Sequence, residues 1–269
     1  MRSLAPTLAS AGWTPAVDDG FDGPELDAAV WLPYFLPHWS TRHRSAARYR
    51  VVEGALHLLI EDDQPPWSEE LDGPLRVSSL QTGLFAGPLG SRIGQHRVHE
   101  AAVVTEEWES VRLLTPHHGA FLLEASWEPH PDQMVALWLI GYEDHPERSA
   151  EICIAEIFGT DVGRKSAAIG MGLHPFGDPA ILDDFEKVTV AVDVRDCHEY
   201  AAVWTAADVR FFVDGRLVKH SRQSPRYPMQ VMLNIYDFGR RTSDQASSPF
   251  VVRRFRCYQP PAPDLHLPA

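Results

Sequence analysis

Residues 209–218 read Val209-Arg-Phe-Phe-Val-Asp-Gly-Arg-Leu-Val218 and predict a β-hairpin. Asp214-Gly215 supplies the positive φ angles of a two-residue turn, and both arms are rich in β-branched and aromatic residues. Similar β-rich runs, separated by Gly, Pro and Asp, lie at 49–60, 119–127, 134–142, 151–158, 188–194, 200–204 and 250–258. Few windows have the apolar period of an amphipathic helix. The sequence therefore predicts an all-β sandwich or barrel.

The length of the chain favours a single domain. A chain of 269 residues can bury a large core, and one all-β sandwich can use that length without dividing. We interpret residues 1–15, which are small, polar and Pro-containing, as an N-terminal tail. Residues 260–269 hold four prolines and are interpreted as a C-terminal tail. Residues 16–259 remain as one domain.

Charge and cysteine content argue against several classes of partner. The net charge is -13, whereas a nucleic-acid or anionic-membrane partner would favour a basic face. The three cysteines, Cys153, Cys197 and Cys257, have neither the number of a disulfide framework nor the spacing of a CxxC metal site. His96 with His99, and the adjacent His117 and His118, are the best histidine fragments of a metal site. Neither pair has the spacing of a zinc signature together with further ligands, so we interpret these histidines as surface or loop residues. We expect no metal and no cofactor.

The N-terminus lacks the charged and apolar segments of a signal peptide, and no stretch of 18 apolar residues occurs elsewhere. These features predict a cytoplasmic protein with no membrane partner, which we expect to be a monomer. A secreted chain that had lost its leader would show the same pattern.

Two glutamates interrupt the apolar run Glu151-Ile-Cys-Ile-Ala-Glu156-Ile-Phe158. Carboxylates are costly in a buried strand, so their presence suggests a paired-carboxylate active site. In a plain strand Glu151 and Ala155 would share one face and Glu156 would point the other way. The two acids converge only if a β-bulge near Ala155 re-aims the strand, and bulges are common beside active sites.

Three further residues are candidates for the same site. Cys153 is interpreted as a small buried thiol, and it would be a nucleophile only with a histidine beside it. Trp138 lies just upstream of the glutamate strand and is the tryptophan that we expect to stack on a sugar. Asn234 is the only asparagine in the chain, and its amide needs partners that are either a ligand's hydroxyls or backbone groups.

These residues resemble the family-16 glycoside hydrolases, the jelly-roll group of laminarinases and lichenases. The resemblance covers residues 21–259 and is anchored on Glu151-x-Cys153-x-x-Glu156, which is similar to the family's bulged E-x-D-x-x-E strand. Further similar segments follow in the family's order: Phe21-Asp-Gly, His118-Gly-Ala-Phe121, Val135-Ala-Leu-Trp138, His198-Glu-Tyr200, Phe211-Phe-Val-Asp-Gly215 and Met232-Leu-Asn234.

The resemblance implies a concanavalin A-like jelly roll of two antiparallel sheets. It also implies a retaining, endo-acting hydrolase of a β-1,3 or mixed β-1,3/1,4 glucan, with a polysaccharide or oligosaccharide as partner. Glu151 would be the nucleophile and Glu156 the acid/base. Trp138 would carry a sugar ring, while His174 and Asn234 would bond sugar hydroxyls or the glutamates beside Cys153.

The chain departs from the family pattern at two positions. Cys153 stands where the family has an aspartate that helps to set the ionisation of the nucleophile. The alternative function is therefore a catalytically impaired carbohydrate-binding jelly-roll protein. Arg253 stands where an aspartate often supports a structural calcium, so we expect no calcium there.

Overall fold

The computed structural model describes residues 2–97, 99–239 and 246–261 and consists almost entirely of short β-strands. Three short α-helices, α1 Ala5–Ser10, α2 Arg42–Ser45 and α3 Glu69–Asp72, lie among them. The strands are β1 Thr14–Asp19, β2 Arg48–Val52, β3 Ala55–Leu59, β4 Arg76–Gln81, β5 Gly83–Leu84, β6 Val111–Arg112, β7 Gly119–Trp127, β8 Gln133–Gly141, β9 Glu151–Phe158, β10 Ala167–His174, β11 Glu186–Val190, β12 His198–Trp204, β13 Val209–Val213, β14 Arg216–Ser221, β15 Met229–Asp237 and β16 Phe250–Gln259.

The strands form two large antiparallel sheets. One has the order β14-β13-β12-β7-β16-β3-β2, with β1 also paired to β16, and the other has the order β11-β10-β9-β8-β15-β4. β5 and β6 form a separate two-stranded ribbon. This arrangement is the all-β, two-sheet jelly roll that the sequence predicts.

The core fills the space between the two sheets because alternate residues of each strand point inward. In the six-stranded sheet, Val135, Leu137 and Leu139 of β8 and Val231 and Leu233 of β15 belong to this core. Their neighbours in sequence face the opposite side of the sheet. Burying a side chain of this kind contributes about 1.5–3 kcal/mol, so register is strongly specified along these strands.

The hairpin predicted over residues 209–218 is confirmed. β13 and β14 pair through Val213 and Arg216, and the turn residues Asp214 and Gly215 have φ angles of 49° and 69°. Both angles are positive, as a two-residue turn of this twist requires.

The N-terminal segment differs from the predicted tail. Leu8 of α1 and Leu4, which precedes the helix, pack against Leu122 and Tyr258 on the outer face of the eight-stranded sheet, and β1 pairs with β16. A six-residue helix is too short to give a clear periodic signal, and it is stable only because it packs on the sheet. Of the predicted C-terminal tail, residues 262–269 lie outside the described residues.

A buried ion cluster lies beside α1 on the same outer face. Arg256 donates to Glu124 and, at 2.9 Å, to Glu199, which is fully buried. The backbone N–H of Leu4 donates to Glu199 at 2.6 Å. We call Glu124, Glu199 and Arg256 the outer ion triad. Its carboxylates are compensated both by a guanidinium and by the first turn of the chain.

Among the described residues, no helix has the length and apolar character needed to cross a bilayer.

Candidate active site

A β-bulge in β9 brings the two glutamates to one side of the sheet. Leu137 of β8 pairs with Ala155, but the next residue, Trp138, pairs with Cys153, so Ile154 is an extra residue in β9. On the other edge, Gly170 pairs with Glu156 and Gly172 with Cys153, which shows the same slip. The bulge therefore lies at Ile154 and Ala155, where the spacing of the glutamates requires it.

The bulge sorts the residues of β9 between two faces. Ile152, Ile154 and Ala155 all point into the core between the sheets. Glu151, Cys153 and Glu156 consequently lie on the opposite face, which we call the cleft face. We call these three residues the acid row.

The neighbouring strand β10 has no side chains opposite two members of the acid row. Gly172 has a φ of +139°, and a Cβ there would come within 2.1 Å of the carbonyl oxygen of Asp184. A Cβ at Gly170 would come within 2.4 Å of the ring of Phe185. The glycines thus allow the segment that contains Asp184 and Phe185 to pack directly against the strand beside the acid row.

Burial raises the pKa of every member of the acid row. For Glu151, desolvation is the main cause and the negative charge of Glu156 adds to it, so its pKa lies well above the ordinary value. Desolvation also raises the pKa of Glu156. The pKa of the Cys153 thiol is raised by desolvation and by the two carboxyls. The thiol lies between them and donates a weak hydrogen bond to Oε2 of Glu151 at 3.7 Å.

His96 reaches the acid row from the long segment between β5 and β6. Its Nδ1 lies 3.2 Å from Oε1 of Glu151, although the angles do not make a hydrogen bond. Burial lowers the pKa of His96 to about 4, so the ring is neutral near pH 7. His96 lies in an irregular segment, as expected of a loop histidine, but its side chain is largely buried against Trp138 and Phe176 rather than on the surface.

Glu143, at the end of β8, is a third acid near the acid row. It accepts a hydrogen bond of 2.7 Å from the backbone N–H of His96. Burial raises its pKa to about 8, and its charge in turn contributes to the raised pKa of Glu151. The sequence points to His96 only as a fragment of a metal site and does not point to Glu143, because both residues lie outside the regular strands and have positive φ angles of 51° and 56°.

Trp138 and Asn234 are brought to the cleft face but pair with each other. The indole Nε1 of Trp138 donates to Oδ1 of Asn234 at 2.7 Å, and the tryptophan is only 4 % exposed. Trp138 is therefore not the open stacking platform that we expected, because His96 covers its ring at 5.2 Å between centroids. The partner of the Asn234 carbonyl is a side chain rather than the backbone.

His174 lies beside the acid row, paired with Glu151 across β9 and β10. Its Nδ1 is 3.0 Å from Oδ2 of Asp183, and its ring stacks on Phe185 with 4.6 Å between centroids. The carboxylate of Asp183 thus fixes the orientation of the imidazole and leaves Nε2 free to point elsewhere.

An open groove of about 620 Å³ adjoins His96 and Glu143. Phe176 and Ile93 line it and are 51 % and 55 % exposed, which is unusual for side chains of this size. Arg92 lies in the same wall. Phe176 is therefore an accessible aromatic side chain beside the acid row, and sequence reasoning had assigned that role to Trp138.

Comparisons with known proteins agree with this fold. Residues 119–250, which include the acid row, match the model of glycosyl hydrolases family 16. This part of the chain is therefore similar to that family. No curated protein sequence matches the chain.

Among solved structures, the chain is similar to a GlcNAcα1-4Gal-releasing endo-β-galactosidase from Clostridium perfringens. The identity is 27 % and the TM-score is 0.81, over 93 % of this chain and 63 % of that chain. The present chain thus spans less than two thirds of that enzyme.

Two laminarinases share the fold at lower identity. The catalytic domain of the endo-1,3-β-glucanase from Thermotoga petrophila is 15 % identical with a TM-score of 0.61, over 92 % of this chain and 98 % of that chain. The laminarinase from Flavobacterium sp. UMI-01 is 16 % identical with a TM-score of 0.62, over 91 % and 100 %.

Proposed function

We propose that the protein is a retaining glycosidase in which Glu151 is the nucleophile and Glu156 the acid/base. The observation that carries this proposal is the bulge at Ile154 and Ala155, which gives two glutamates of one strand a common face. The open groove reaches His96, which contacts Glu151. Burial raises the pKa values of both glutamates. A carboxyl group that retains its proton can act as the acid when a glycosidic bond is cleaved.

In the first step, the ionised carboxylate of Glu151 forms a bond to the anomeric carbon while the bond to the leaving oxygen breaks. Glu156 gives its proton to that oxygen. In the second step, a water molecule attacks the anomeric carbon, Glu156 takes a proton from it, and Glu151 leaves as a carboxylate. Two displacements at one carbon retain its configuration.

Glu151 must lose its proton before it can attack, and burial opposes that loss. His96 Nδ1 lies 3.2 Å from Oε1, and we propose that its N–H donates to the carboxylate once the ring turns into line. In this reading His96 is a positioning residue that favours the ionised nucleophile. Cys153 adds a second, weaker donor on the other oxygen.

For the substrate, we propose a β-linked galactoside polymer or glycan. The Clostridium perfringens enzyme is the relative with the higher identity and TM-score, and its activity is on a β-galactoside. The laminarinases, at 15–16 % identity, support the fold alone. A β-1,3 or mixed β-1,3/1,4 glucan is the second candidate, because the sequence pattern around Glu151 and Glu156 resembles that of glucanases.

A carbohydrate-binding protein without turnover is the rival function. Two observations favour it: Glu151 is 5 % exposed, and the residue between the glutamates is a thiol. A thiol cannot share a proton between carboxylates as an aspartate can.

The deciding experiment measures release of reducing ends from a GlcNAcα1-4Gal-capped β-galactoside glycan, laminarin and lichenan. We expect the wild type to cleave one of them and Glu151→Gln to lower turnover by at least about 1,000-fold. The matched control is Glu147→Gln, an exposed glutamate beyond the cleft face, which should keep the wild-type rate. NMR of the first product should show the β-anomer.

If the wild type releases no more sugar than Glu151→Gln while both still bind the glycan, the protein is a binding module. A first product with inverted configuration would contradict the role of Glu151 as nucleophile.

A further inference from the structure

Three different metal-ligating groups meet on the cleft face. A carboxylate oxygen of Glu151, the Sγ of Cys153 and a ring nitrogen of His174 all lie within 4.8 Å of one another. Glu151 and Cys153 are two residues apart on β9, and His174 is paired with Glu151 from β10. The ladder of two central strands therefore holds the three groups, and no mobile loop is needed to assemble them.

The spacing fits a tetrahedral ion. With bonds of about 2.3 Å to sulfur and about 2.0 Å to oxygen, the sulfur and oxygen ligands of zinc stand about 3.5 Å apart. The Sγ of Cys153 lies 3.7 Å from Oε2 of Glu151. Small rotations of side chains thus suffice to bring both groups to one ion.

His174 already has the outer partner that metal-binding histidines usually have. Its Nδ1 is held by Asp183 at 3.0 Å, so Nε2 is the nitrogen available to a metal. A carboxylate behind a ligating imidazole fixes the tautomer and makes the ring a better donor. The side chain of His174 is 29 % exposed, which gives an ion a path from solvent to the buried oxygen and sulfur.

The surroundings of the three groups also favour a cation. Within the part of the chain that the structure describes, no lysine or arginine forms an ion pair with Glu151 or Glu156. His96 Nδ1 is buried 3.2 Å from Oε1 of Glu151 and has no hydrogen-bond partner among the described residues. When an ion occupies the carboxylate of Glu151, a water molecule on that ion would give this buried nitrogen a partner.

We propose that Glu151, Cys153 and His174 bind Zn²⁺, with a water molecule in the fourth position. Thiolate, imidazole and carboxylate together are the ligands of zinc, whereas calcium and magnesium prefer oxygen alone. The carboxyl of Glu151 and the thiol of Cys153 each lose a proton to solvent as the zinc–oxygen and zinc–sulfur bonds form. Zinc binding needs no sugar chemistry. Its further consequence, that zinc blocks hydrolysis by occupying the nucleophile, rests on the proposed function.

The test is titration of the reduced wild-type chain with Co²⁺ in the absence of sugar, followed by electronic absorption. We expect visible bands of tetrahedral cobalt and a thiolate-to-cobalt charge-transfer band, both removed by one equivalent of Zn²⁺. Cys153→Ser should lose the charge-transfer band, and the matched control Cys197→Ser should keep it, since Cys197 is a half-buried thiol outside the acid row.

Two further variants keep the result interpretable if Cys153→Ser is poorly folded. His174→Gln and Asp183→Asn should each weaken cobalt binding by at least about tenfold, with unchanged thermal unfolding of the metal-free chain. A wild type without a thiolate band, or a band that persists in Cys153→Ser, overturns the proposal. Failure of glycoside hydrolysis would leave these spectra unchanged, so the two proposals fail separately.

Discussion

Buried acids occur on both outer faces of the sandwich, but only one of the two groups contains a cation. In the outer ion triad, Glu199 is fully buried and Arg256 and the N–H of Leu4 compensate it. In the acid row, Glu151 is 5 % exposed and its nearest neighbours are a thiol and a neutral histidine. Both groups remove carboxyls from water, so burial alone does not distinguish them.

The comparison shows what each group can do. A carboxylate paired with a cation holds elements together, as the triad holds the N-terminal segment on β7, β12 and β16. A buried carboxyl group without a cationic partner retains its proton, binds a cation or ionises when a substrate changes its environment. The acid row is therefore the place where chemistry or ligand binding is expected.

The largest expected effect comes from breaking the triad. Arg256→Met leaves two carboxylates of the triad without their cation, and breaking a buried ion pair costs about 3–5 kcal/mol of unfolding free energy. Urea denaturation of the purified variant measures this loss. The matched control is Arg254→Met on the same strand, whose pair with Asp18 is exposed and should contribute no more than about 1 kcal/mol. Equal losses in both variants would contradict the comparison.

A smaller effect is expected from Glu143, whose pKa is raised from 4.5 to about 8. Between these values the folded chain keeps a proton that the unfolded chain releases, so this group lowers stability as pH rises from about 4.5 to about 8. Glu143→Gln should therefore be the more stable form at pH 8, by on the order of a few kcal/mol, with a smaller difference at pH 5.

Denaturant midpoints across this pH range test the prediction for Glu143. Glu147→Gln, which changes an exposed acid four residues further on, is the control and should follow the wild type at every pH. A Glu143→Gln variant that is less stable at pH 8 than the wild type would show that the carboxylate is ionised and compensated in the folded chain.

A third variant changes the residue between the two glutamates. If a shared proton limits turnover, Cys153→Asp should raise the rate of hydrolysis by roughly tenfold, because a carboxyl can exchange a proton with both neighbours. Cys153→Asn introduces a side chain with the shape of aspartate but without a carboxyl proton, and it should not raise the rate of hydrolysis. An unchanged rate of hydrolysis in Cys153→Asp would show that the thiol does not limit turnover.

The smallest effect is expected from a residue of the groove rather than of the acid row. Phe176→Ala removes the exposed ring of the groove and should raise KM about fivefold, roughly the contribution of one aromatic contact, with little change in kcat. Leu182→Ala, which removes a side chain that is 73 % exposed outside the groove, is the control. A loss in kcat instead of KM would place Phe176 in the chemical step.

Regular strands and tight turns could be predicted from sequence, because their signals are local. β7 and β9 begin and end at the predicted residues, and Asp214-Gly215 forms the predicted turn. β10 was missed because Gly170 and Gly172 interrupt its apolar alternation. Those two positions are glycine because Phe185 packs against them. A contact with a residue outside β10 leaves no pattern within the strand itself.

Only the part of the candidate site that lies on the single strand β9 could be predicted from the sequence. The spacing of Glu151 and Glu156 required a bulge, and the bulge is present. The contact of His96 with Glu151 could not be predicted, because the position of a side chain on a long segment depends on what that segment packs against. For the same reason the burial of Trp138 beneath His96 was not foreseeable from the residues around it.

The bulge in β9 determines which deletions in this strand keep the two glutamates on one face. Because side chains alternate, odd and even deletions act differently: without Ile154 the strand would become regular and Glu156 would still face the same side as Glu151. Without both Ile154 and Ala155, Glu156 would turn into the hydrophobic interior. Cobalt binding and hydrolysis should therefore survive the single deletion better than the double one, which makes this strand tolerant of a length change by one and intolerant of a change by two.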